Sequence, residues 1–67
     1  MENSELLDAW DQMGSWLMGH PNYAFGVNAT DTAFRILFDG SEVDTEPFTS
    51  KDPKDKARAI RALLERR

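Results

Sequence analysis

The sequence predicts a two-layer α+β domain in the order α-β-β-β-α, a three-stranded antiparallel sheet with both helices packed on one face. Three patterns carry this expectation. Residues 4–18 and 52–67 repeat apolar side chains at helical spacing. Residues 22–28 and 33–47 alternate apolar and polar side chains, and within the second stretch Asp39-Gly40 offers the positive φ angles of a two-residue hairpin turn. Two helices with one apolar stripe each need the single apolar sheet face, which segregates them to one side.

The first helix, SELLDAWDQMGSWLM, places Leu6, Trp10, Met13 and Leu17 on one stripe, flanked by Ala9 and Trp16 on one side and by Leu7 and Gly14 on the other. Glu5, Asp8, Gln12 and Ser15 fall opposite. Ser4 is expected to cap the first turn, Glu5 and Asp8 to favour the positive end of the helix dipole, and Gly19 to take a left-handed conformation before Pro21 ends the helix. Gly14 costs up to ~1 kcal/mol relative to alanine, so it is expected to mark a close approach of the sheet. One helix cannot bury Trp10, Trp16 and three bulky aliphatics together, which leaves an aromatic near Met18 as a contact for a partner or a second copy.

Tyr23, Phe25 and Val27 alternate with Ala24, Gly26 and Asn28 as a first strand, and Asn28-Ala-Thr-Asp31 turns the chain into the hairpin. Counting symmetrically from Asp39-Gly40 sets Phe38 opposite Ser41, Leu37 opposite Glu42, Ile36 opposite Val43 and Arg35 opposite Asp44. One face is then Phe34, Ile36, Phe38, Val43 and Thr45. The other is a row of Glu42, Asp44 and Glu46 offset only by Arg35. Phe48 is expected to turn into the core. The last helix opens with Asp52 as N-cap, Pro53 at its first position and Asp55 where a capping box places its acid. Ala57, Ile60, Leu63 and Leu64 form its apolar stripe, with Arg58 and Arg61 on the solvent side and Glu65 within reach of Arg61.

A chain of 67 residues is expected to form one domain, residues 1–67. Folding at this size buries only about 60% of the unfolded surface, and no cysteine is present to supplement the core. The acidic N-terminus does not read as a secretory signal, and no run approaches the roughly 18 apolar residues of a membrane span, so a cytoplasmic location is expected. Net charge is −4, but unevenly distributed: residues 1–50 carry nine acids against Arg35, and residues 51–67 carry seven bases against three acids.

Catalytic groups are sparse. His20 is the single histidine and sits at a helix end, the serines and threonines occupy cap or turn contexts, and the four glycines form no phosphate-binding run. Alternate carboxylates on a strand stand about 6.8 Å apart, too far to share one cation, and no EF-hand order appears. No enzyme activity, metal or other cofactor is expected. Glu42, Asp44 and Glu46, joined by Glu2, Glu5, Asp8 and Asp11, are instead expected to form a negative surface that imitates a nucleic-acid backbone or meets a basic protein groove, unless these acids simply solubilise the sheet.

In length, acidity and lack of catalytic groups the chain resembles the small inhibitors encoded by phages and other mobile elements, such as anti-CRISPR proteins and DNA mimics. The resemblance is one of format and attaches to no particular residues. The expected function is a non-enzymatic interaction protein, an inhibitor or mimic that occupies a basic site on a larger protein, with Glu42, Asp44, Glu46, Glu5 and Asp8 as contacts. The alternative is a small nucleic-acid-binding accessory protein using Lys51 to Arg67, although that helix lacks base-reading side chains. The chain is expected to be a monomer or a weak homodimer, associating through the Trp16 and Met18 end of the first helix or through a strand edge.

Overall fold

A computed structural model describes residues 3–67. The elements are α1 (Ser4–Met18), β1 (Tyr23–Val27), β2 (Ala33–Phe38), β3 (Ser41–Pro47) and α2 (Pro53–Glu65). The strands form one antiparallel sheet in the order β1-β2-β3, so β2 is central and the other two are edges. Helix α1 lies over β1, α2 over β2 and β3, and the helices pack against each other. The α+β class and element order are those the sequence predicts.

The core sits between the layers. Ala9 and Met13 of α1, Phe34 and Ile36 of β2, Phe48, and Ala57, Ala59, Ile60 and Leu63 of α2 are buried together, with Leu6, Trp16, Leu17, Tyr23, Phe25 and Leu64 packed around them. Trp10 meets Phe25 and Phe34 edge-on with centroids 5.1 and 5.7 Å away, and Phe34 touches Phe48 at 5.0 Å. The hairpin turn is as expected, with positive φ at Asp39 and Gly40. Between β1 and β2 the Asn28 side chain fixes the turn by accepting from the backbone N–H groups of Thr32 and Ala33.

Several local expectations are corrected. The N-cap position of α1 is Asn3 rather than Ser4, and its side chain makes no capping bond. Gly19 is right-handed (φ −85°), and the helix closes through His20, whose Nδ1 bonds to the Trp16 carbonyl at 2.8 Å while its ring stacks on the Trp16 indole. Gly14 is exposed, and a Cβ there would meet nothing within 4 Å, so no sheet approaches it. Asp52 does cap α2 through the Lys54 N–H, but Asp55 accepts from Ser50 and Thr49 rather than completing a capping box.

The largest correction concerns the hairpin. Phe38 faces Ser41 and Leu37 faces Glu42, but Ile36 then faces Asp44, Arg35 faces Thr45 and Phe34 faces Glu46. Val43 is the extra residue of a β-bulge, which moves every later residue of β3 to the opposite face. Val43 is therefore 51% exposed instead of buried, Thr45 lies on the outer face, and Asp44 and Glu46 lie on the helix side with Ile36 and Phe34.

Candidate acidic interaction face

The bulge breaks the expected acidic row into parts with different surroundings. Asp44 and Glu46 lean under α2, with only 17% and 19% of their side chains exposed. Arg66 grips Asp44 through two bonds, Nε to Oδ2 at 3.0 Å and Nη2 to Oδ1 at 3.1 Å, and donates to Glu46 Oε1 at 2.9 Å. Arg58 donates to Glu46 Oε2 at 3.0 Å, and Arg67 to Asp44 Oδ2 at 2.9 Å. Hydrogen bonds from Arg66 hold both carboxyls below the usual carboxylate range, with Arg58 adding to the effect on Glu46. The same contacts raise the Arg66 guanidinium above its ordinary value.

Helical spacing explains how α2 reaches them. Arg58, Ala62 and Arg66 follow at intervals of four, which sets the two arginines along one ridge that faces β3. They also donate to β3 backbone, Arg58 to the Pro47 carbonyl at 2.8 Å and Arg66 to the Thr45 carbonyl at 3.4 Å. Sequence reasoning set Arg58 on the solvent side; the structure ties it to the sheet edge.

Glu42 stays on the outer face, 3.6 Å from Arg35, with both side chains about half exposed. The remaining predicted contacts, Glu5 and Asp8, stand on α1 with Asp11. All three are exposed, and none joins an ion pair among the described residues. Glu5 lies toward α2, where Arg61 reaches its carbonyl, whereas Asp8 and Asp11 lie further round α1, which itself carries no base. Glu2 lies outside the described residues. The predicted contact set is thus not one surface: Asp44 and Glu46 are engaged internally, Glu42 is on the opposite sheet face, and Glu5 and Asp8 belong to α1.

Among the described residues no three histidine or carboxylate side chains converge to hold a metal ion, and no helix is long and apolar enough to cross a membrane. A shallow depression between the helices is lined by Gln12, Arg61, Leu64 and Glu65, with no nucleophile in it. On α2, Lys56 sits over the Phe48 ring and Arg61 reaches the Glu5 carbonyl at 3.5 Å. No known protein family, curated protein or solved structure matches the chain.

Proposed function

We propose that the chain is a non-enzymatic interaction protein that occupies a basic site on a larger protein partner, and that α1 rather than β3 supplies the acidic contact. The observation that carries this is the partition of charge. Asp44 and Glu46 are bonded by three arginines of the same chain, whereas Glu5, Asp8 and Asp11 are exposed, outside any ion pair among the described residues, and on a helix without a base. Charges already paired within a fold offer little to a partner, while exposed acids outside any ion pair steer encounter with a basic surface. Covering such a site would inhibit it, in keeping with the format of small mobile-element inhibitors.

Nucleic-acid binding by the C-terminal segment is weakened on the same grounds. Arg58, Arg66 and Arg67 are committed to Asp44 and Glu46 and Lys51 to Asp31, so of the seven bases only Lys54, Lys56 and Arg61 stand outside ion pairs among the described residues.

The test is affinity capture with wild type and the Glu5→Lys, Asp8→Lys, Asp11→Lys variant at low and high salt. A basic protein retained by wild type at low salt should be released at high salt and lost by the variant, with the variant's melting temperature little changed. Equal capture by the folded variant would refute the assignment. A gel-shift titration showing salt-sensitive DNA or RNA binding by wild type would favour the nucleic-acid reading instead.

A further inference from the structure

The two sheet edges are treated in opposite ways. Strand β3 is closed to pairing: it carries Glu42, Asp44 and Glu46, is interrupted at Val43, ends in Pro47, and has its Thr45 and Pro47 carbonyls taken by Arg66 and Arg58. Strand β1, YAFGV, has no charge, proline or bulge. Its register and the bond from the Asn28 N–H to the Ala33 carbonyl set Ala24 and Gly26 as the residues that bond inward to β2. The N–H and C=O groups of Phe25 and Val27 consequently point outward, away from the sheet.

An apolar ledge runs beside that open edge. On α1, Leu7, Trp10, Gly14 and Met18 succeed one another at intervals of three and four, on the side away from α2. Leu7 is 62% exposed, Trp10 42% and Met18 86%, and Val27 at the end of β1 is 44% exposed. Trp10 stands on Phe25 while Trp16 meets Tyr23 at 4.9 Å, so the helix runs back along the strand and the ledge follows the edge. Asp11, four residues after Leu7, borders this ledge, with Asp8 one step further round.

We propose that β1 receives an extended, lysine- or arginine-bearing segment of the partner as a fourth strand. Main-chain bonds would form to Phe25 and Val27, and the side chains on the helix side of the added strand, every second residue, would include apolar ones against Leu7, Trp10 and Val27 and basic ones toward Asp8 and Asp11. Charge complementarity selects this occupant over a second copy: antiparallel pairing of two β1 edges would set two acidic α1 helices side by side. The inference rests on the basic-partner reading and adds to it the mode of contact.

The experiment is an NMR titration of the labelled chain with three probes: a decapeptide whose odd positions alternate valine and lysine and whose even positions are threonine, its twin N-methylated at every residue, and decalysine. The first should shift the Phe25 and Val27 amides, and the twin should bind at least about tenfold more weakly, because it lacks the donors that face the edge. Val27→Pro should weaken the first peptide similarly without loss of fold, since the Val27 N–H makes no bond to β2. Unmoved Phe25 and Val27 amides, or equal binding of the twin, would overturn strand addition. If decalysine shifts Asp8 and Asp11 in that event, the basic-partner reading survives; if no probe binds, both fall. A concentration-dependent dimer of the chain alone, with Phe25 and Val27 protected from exchange, would assign the edge to a second copy and overturn the proposal.

Discussion

Replacing Gly14 by alanine should stabilise this protein. Gly14 lies in the interior of a 15-residue helix, where glycine is about 0.8–1.0 kcal/mol less favourable than alanine. Two terms could offset that gain, a clash of the new methyl or the loss of a close backbone contact, and neither operates, because an added Cβ meets no heavy atom within 4 Å. Nearly the whole propensity difference should therefore appear as stability. In a domain of this size about 1 kcal/mol moves the melting temperature by roughly 4–8 °C. Circular dichroism melts of wild type and Gly14→Ala at one protein concentration would read it. An unchanged or lower melting temperature would show that something does pack on Gly14, and that the outer flank of α1 is not open as described.

Two further perturbations address the acidic residues of β3. Because the folded-state pKa values of Asp44 and Glu46 are depressed, their contribution is complete above the unfolded values of about 3.9 and 4.3 and is lost as pH falls through the depressed ones. Arg66→Ala removes the first cause of both shifts, so it should melt lower than wild type at pH 7, with the gap closing below about pH 4; a gap constant down to pH 2 would contradict the pairing. Deleting Val43 should leave Ile36 opposite Asp44 and Phe34 opposite Glu46, since the bulge residue alone is removed, and should change stability by less than about 1 kcal/mol in urea denaturation; an unfolded variant would show that the bulge is needed for the fold.

The fold was legible because its signals are local and agree with one another. Both helices begin and end within a residue or two of the positions their apolar spacing indicates, and Asp39-Gly40 fixed the hairpin turn through its φ angles. What symmetric counting cannot contain is an extra residue: Val43 alternates properly with its neighbours and carries no mark of a bulge. The mark lies instead at long range. Arg58 and Arg66, four residues either side of Ala62, form a basic ridge that needs acids facing it, and Asp44 with Glu46 can face it only if the strand shifts by one. Gly14 misled for a different reason, since a helical glycine signals contact only when a neighbour is there. The acids of α1 were visible from the start, but their standing as exposed acids outside any ion pair among the described residues depended on which other acids the fold neutralised.

Where this protein is negative depends on the register of β2 against β3, and cross-strand NOEs measure that register directly. Contacts of Ile36 with Asp44, Arg35 with Thr45 and Phe34 with Glu46, together with Arg66 side-chain contacts to Asp44, are expected. Contacts of Ile36 with Val43 and Arg35 with Asp44 would instead place Asp44 and Glu46 on the outer face beside Glu42, restore an acidic row on β3, and contradict the assignment of the contact to α1.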